Sequence, residues 1–152
     1  MFDFESYLES ICMTSEFEIS SDPSRIDIGL VHEFLSKSYW AKGRSVDVVE
    51  RSILNSLCFG VYFEDQQVAF ARLITDRAVL AYLADVFVIS EYRGQGISKL
   101  LMEEILRSPE LKDVRLFRLA TKDAHRLYEK YGFERMTDPD KTMELFIEES
   151  DL

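Results

Sequence analysis

The run in this sequence best suited to chemistry is Arg93-Gly94-Gln95-Gly96-Ile97-Ser98-Lys99, set between an apolar stretch and a segment of helical spacing. Glycines let the backbone take positive φ and come close to a ligand. Successive amide N–H groups at a helix N-terminus form an anion nest, strengthened by the helix dipole. Arg93 and Lys99 place positive charge beside it. A pyrophosphate is the natural guest of such a nest. The run has neither the Gly-Lys-Ser/Thr of a P-loop nor the third glycine of the dinucleotide fingerprint. Taken alone, it also reads as an ordinary strand–helix turn. A second stretch, Ala-Thr-Lys-Asp-Ala-His-Arg-Leu-Tyr-Glu-Lys-Tyr-Gly-Phe over 120–133, carries Tyr128 and closes on Gly132-Phe133.

These residues need elements to hold them. Residues 1–13 have the spacing of a short amphipathic helix, and 17–20 alternate as a first strand. Asp22-Pro23-Ser24 turns the chain. Leu30, Val31, Phe34 and Leu35 predict a helix buried on one face. The segment 39–44 breaks that period and reads as a loop. Ser45 then caps a second helix that carries Val46, Val49 and Ile53. Residues 58–63 and 68–74 are aromatic and β-branched runs joined by Glu64-Asp65-Gln66-Gln67, a hairpin pattern. The run 79–89 is apolar except near Asp85, as expected of a central strand covered on both faces. A helix through Ile97, Leu100, Leu101 and Ile105 follows and ends near Ser108-Pro109. Residues 114–119 read as a strand, 123–131 as a short helix and 143–147 as a last strand. The order β-α-α-β-β-β-α-β-α-β is that of an α/β protein with a mixed, mostly antiparallel central sheet, flanking helices and at least one β-α-β crossover.

Length and composition bound the function. The 152 residues suit a single domain spanning 1–152. With 47% hydrophobic and 30% charged residues, collagen-like, mucin-like and disordered classes are excluded. The apolar runs are too short to span a bilayer, and the acidic start, MFDFESYLES, lacks the basic region of a signal peptide. Membrane partners are therefore not expected. Cys12 and Cys58 make neither a disulfide framework nor a four-ligand zinc site, so no metal is expected and a reducing cytoplasm is the simplest compartment. A net charge of −10 repels phosphodiester backbones and argues against nucleic acid. It suits either a cationic substrate such as an amine, steered by the field, or plain solubility.

Taken together, the two stretches resemble the GNAT superfamily of acetyl-CoA-dependent N-acetyltransferases. Arg93-Gly94-Gln95-Gly96-Ile97-Ser98 sits where that family has its R/Q-x-x-G-x-G/A pyrophosphate loop. Ala124, Leu127, Tyr128, Glu129, Lys130, Gly132 and Phe133 sit in its A-x-x-L-Y-E-K-x-G-F segment, with one helix and one strand between the two. The resemblance covers about residues 57–147. It implies a GNAT-like acyltransferase fold, with acetyl-CoA as cosubstrate and an amine, small or carried on a larger molecule, as acceptor. The backbone from Gln95 to Lys99 would hold the pyrophosphate. Val86, Phe87 and Val88 would pair with the pantetheine arm like an added strand, and one amide there would polarise the thioester carbonyl. Tyr128 would protonate the departing thiolate. Two departures stand out: Ser98 replaces the last Gly or Ala of the loop, and Thr121 stands where many members have a pantetheine-binding Asn.

Amine acetylation also needs a group to take a proton. Asp85 and Tyr82 on the central strand, and Glu64 or Asp76 in turns, are the candidates. A lone carboxylate in an apolar strand is costly unless used or paired. Asp85 therefore reads as the base, as a buried partner of Arg72, or as a capping carboxylate. Tyr39, Trp40 and Arg44, in the loop that borders the acceptor cleft in the family, and Arg72 are candidate substrate-binding residues. A catalytically silent coenzyme A-binding regulatory domain of the same fold is the alternative, and an unrelated nucleotide-binding module a third. The sheet edge expected near 143–147 leaves a homodimer open.

Overall fold

A computed structural model describes residues 16–148. The chain divides into two compact units at Ala120/Thr121.

The first unit is built on a five-stranded sheet in the order β1-β2-β3-β4-β5. These strands are β1 (Phe17–Ser20), β2 (Leu57–Phe63), β3 (Gln66–Thr75), β4 (Leu80–Val88) and β5 (Leu116–Leu119). The first four are antiparallel neighbours, and β5 joins β4 in parallel. That parallel pair requires a crossover, which α3 (Ile97–Arg107) supplies. Between β1 and β2 run α1 (Ile28–Lys37) and α2 (Val46–Leu54).

Local chemistry sets the element ends. Asp27 caps α1 through Leu30 N–H at 2.9 Å, and Ser45 caps α2 through Val48 N–H. The β3–β4 turn is held by Asp76, whose Oδ1 accepts from the amides of Ala78, Val79 and Leu80. Those bonds, Ala78's first, hold its carboxyl below the usual carboxylate range.

The two sheet faces are covered differently. Cys58, Phe70 and Phe87 meet Val31 and Leu35 of α1, Val49 and Ile53 of α2, and Ile26 and Ala41 of the flanking loops. On the other face α3 packs against β1, β2 and β4 with Ile97, Leu101, Met102 and Ile105 buried. This coverage explains why β3 is buried over nearly its whole length. Val46, expected on the buried side of α2, is instead 44% exposed.

The second unit holds α4 (His125–Glu129) and a 3-10 turn at Pro139–Lys141. Gly132, at φ +86, ends the α4 region as expected. The strand expected over 143–147 does not form. Among the described residues that segment has no ladder partner, and Met143 stands 93% exposed. Its residues have β propensity, but a strand exists only through its neighbour's hydrogen bonds. The amphipathic helix expected over 1–13, with Cys12, lies outside the described residues.

Leu101 is fully buried at the centre of the α3 contact. Leu101→Ala should lower unfolding stability by about 2–5 kcal/mol, read as a lower urea midpoint with unchanged m-value.

Candidate active site

The site begins with an irregularity in β4. Along β3, Arg72 pairs with Ala84 and Phe70 with Phe87, so Asp85 and Val86 together oppose Ala71. This is a β-bulge, and Asp85 takes the left-handed conformation there at φ +51. The extra residue resets the strand's alternation. Leu83 pairs with Leu73, on the face opposite to Phe87 and Arg72, and Asp85 turns toward Arg72.

β4 loses β5 just before the bulge. Their pairing ends at Leu83 and Leu119, whereas the β3 side continues to Val88. Ile89 N–H donates to Val68 C=O at 2.9 Å, so strand alternation points Phe87's backbone groups at β3 and those of Val88 and Val86 at the open edge. Val88 C=O is met there by Arg93 Nε at 3.0 Å. Phe87 itself is 4% exposed, its ring stacked on Phe34 at 3.9 Å and tilted against Phe70. Of the three strand residues expected to meet the coenzyme, Val86 and Val88 thus turn their amides outward, and Phe87 anchors the core.

The open edge leads to the glycine run. Gly94 and Gly96 have φ of +77 and +81, and a Cβ on either would touch nothing within 4 Å. Gly96 is the N-cap of α3, with no side chain capping the helix. Leu100 N–H makes the first helical bond to Gly96 C=O. The amides of Ile97, Ser98 and Lys99 are therefore without helical partners and face the space in front of the helix. Ile97's side chain is buried, Gln95 and Ser98 are half-buried, and Lys99 Nζ lies 3.9 Å from Glu103. The residues present suit an anionic group: backbone donors, a dipole end, and room where side chains would stand.

On the other side of the bulge is a buried charge cluster. Asp85 is 5% exposed. Its Oδ2 accepts from Arg72 Nε at 2.8 Å, and Arg44 Nη1 lies 3.1 and 3.2 Å from its two oxygens. Trp40 Nε1 donates to Oδ1 at 3.1 Å. Arg72 Nη1 also reaches Ser56 Oγ at 3.2 Å. His32 Nε2 lies 3.1 Å from Arg44 C=O, and Tyr39 packs edge-on against Trp40. The structure thus brings together Trp40, Arg44, Arg72 and Asp85, with Tyr39 beside them. Ser56 and His32 support this cluster without any sequence signal, because their partners lie on other elements. Cys58, paired across the ladder with Arg72, has its thiol pushed up to about 12 by burial.

The other base candidates sit elsewhere. Asp76 is committed to its turn, Glu64 lies exposed in the β2–β3 turn at φ +54, and Tyr82 is half-buried on β4. In the second unit, Thr121 Oγ1 accepts from Ala124 N–H at 3.0 Å, and Tyr128 is buried on α4 beside Phe133. Among the described residues no cluster of His, Cys, Asp or Glu is arranged to hold a metal, and no helix is long and apolar enough to cross a membrane.

Comparison with known proteins fits this geometry. A family model for the acetyltransferase (GNAT) domain matches residues 55–135, just over half the chain. The chain belongs to the GNAT acetyltransferase family. A crystal structure from Xanthomonas campestris pv. campestris, described as belonging to the GNAT family, is 48% identical; the match covers 86% of this chain and 93% of that one, with a TM-score of 0.84. A Gibberella zeae protein named as an acetyltransferase is 27% identical over 143 residues, 78% of this chain and 80% of its own length. A Clostridium acetobutylicum structure solved with acetyl-CoA shares the fold at 16% identity and a TM-score of 0.62, over 86% of this chain and 94% of that one.

The cluster makes a direct prediction. Asp85→Asn keeps a residue that tolerates the left-handed backbone but leaves Arg72 buried without its counter-charge. Unfolding stability should fall by about 3–5 kcal/mol in urea titration, and an unchanged midpoint would show the pairing to be idle.

Proposed function

We propose that this protein is an acetyl-CoA-dependent N-acetyltransferase of one domain, 1–152, acting on a primary amine by direct attack. The observation that carries the reading is the open β4 edge running straight into the Gly94–Gly96 turn and the N-terminus of α3. An extended ligand with an anionic group at one end suits that path. Acetyl-CoA supplies the acetyl thioester: the amine nitrogen bonds to the carbonyl carbon, the C–S bond breaks, and the amine gives up one proton as the sulfur gains one.

Each residue then has a task. Amides from Gln95 to Lys99 hold the pyrophosphate, with Arg93 bracing Val88 next to it. Val86 and Val88 offer strand-like hydrogen bonds to the pantetheine amides. The Val86 amide polarises the thioester carbonyl in this reading. Thr121 takes a share of the pantetheine contacts. Tyr128, from its place in the A-x-x-L-Y-E-K-x-G-F segment, gives its Oη proton to the departing sulfur. Asp85 acts as a positioning residue, since its carboxylate is already taken by two guanidiniums and an indole. The acyl-transfer reading is favoured over a silent coenzyme-binding domain because both glycines and Tyr128 are in place. Two cysteines and a buried Cys58 thiol suit a cytoplasmic setting.

Acetyl-CoA should raise the melting temperature through mass action, and acetyl-pantetheine, which lacks the pyrophosphate, should raise it far less. Equal shifts would overturn the nest assignment. Gly96→Asp, which strains a left-handed position and adds a negative charge, should abolish the acetyl-CoA shift.

Tyr128→Phe should keep that shift and lower turnover by roughly ten- to a thousandfold in a thiol-release assay. Unchanged turnover would return Tyr128 to a packing role.

A further inference from the structure

The charge cluster beside the bulge carries an imbalance. Two guanidiniums, Arg44 and Arg72, converge on the single carboxylate of Asp85. Cys58, across the ladder from Arg72, adds no carboxylate to the cluster, and burial pushes its thiol up to about 12. The loop between α1 and α2 that carries Arg44, Ser-Tyr-Trp-Ala-Lys-Gly-Arg over 38–44, adds Lys42 and no acid. In a chain with net charge −10, the cluster at the β4 bulge therefore sets two guanidiniums against one carboxylate.

The two arginines are not equivalent. Arg72 is buried and spends Nε on Asp85 and Nη1 on Ser56. Arg44 spends Nη1 on Asp85, keeps its side chain 34% exposed, and has no acceptor for Nη2 among the described residues. Trp40 and Tyr39 stand next to it at 40% and 62% exposure. A guanidinium held rigid on one side and open on the other is preorganised for an oxyanion. Partly covered beside Asp85, it is screened less than a fully exposed cation.

We propose that Arg44, fixed by Asp85, selects the acceptor, and that the acceptor is a primary amine bearing a carboxylate or phosphate near its nitrogen. This rests on the acetyltransferase reading above. It reverses what whole-chain charge suggests, because a purely cationic amine would meet like charge where it must bind. Such an acceptor supplies the second anion that the cluster lacks.

The test has a catalytic and a binding arm. Thiol release from acetyl-CoA is compared for the common amino acids against their amides, for amino-sugar phosphates against the parent amino sugars, and for putrescine as a dication. The first pair reads carboxylate and the second reads phosphate. Calorimetry without coenzyme measures binding of the same compounds. In at least one pair the anionic member should be preferred tenfold or more in kcat/KM and in affinity. Arg44→Gln, confirmed folded by its acetyl-CoA melting shift, should bring that ratio toward one. Preference for the neutral members or putrescine, an unchanged ratio in Arg44→Gln, or binding of neither member overturns the proposal. Arg44-dependent binding of anionic amines with no thiol release from any of them would uphold it and overturn the transferase reading instead.

Discussion

The interaction on which the rest of the site depends is the ion pair between Asp85 and Arg72 at the β4 bulge. A non-glycine residue at positive φ costs of order 1–2 kcal/mol, and a buried carboxylate costs several more unless it is paired. Both costs are met at one residue. The bulge turns Asp85 toward Arg72, and Arg72, Arg44 and Trp40 supply donors for the carboxylate. Without the extra residue, Asp85 would not share a face with Arg72, and a charge would stand buried on each side of the sheet. Bulge and ion pair therefore require each other.

Two consequences follow for the site. The bulge falls where β4 leaves β5, so the strand enters the open region with its alternation reset and with the Val86 and Val88 backbone groups facing outward. Arg93 then ties Val88 C=O to the loop that begins the glycine turn, so strand edge and helix N-terminus are fixed relative to each other. On the other side of the sheet the same carboxylate holds the loop between α1 and α2 through Trp40 and Arg44. One buried group thus connects the β4 bulge with the loop between α1 and α2.

Much of this was legible in the sequence, and the missing parts share a cause. Strands β2 to β4 and helix α3 follow from periodicity, because each buries a regular face. The glycine turn was legible because few residue types allow that backbone. The bulge was not. Simple alternation puts Asp85 on the side of both Leu83 and Phe87, and only the pairing with β3 reveals that Leu83 faces the other way. The loss of period over 39–44 marked a loop correctly, but its anchoring to Asp85, more than forty residues on, leaves no local trace. The segment 143–147 fails for the complementary reason: its residues favour a strand, yet strand formation is decided by a partner that local sequence does not specify.

The unequal burial of the two arginines gives the cluster a direction. Arg72 is enclosed on β3, and any charge it leaves unbalanced would be felt in low dielectric, so it takes the short bond to Asp85. Arg44 comes from a loop, sits partly in water, and makes longer contacts to the same carboxylate. The uncompensated positive charge is therefore displaced outward, from the sheet to the loop between α1 and α2. Solvent can screen it there, and an approaching oxyanion can displace that solvent at little cost in reorganisation, because Trp40 and Asp85 already hold the loop and the guanidinium in place. A lysine at position 44 would keep the charge but lose the planar fork that lets one edge grip Asp85 while the other faces outward.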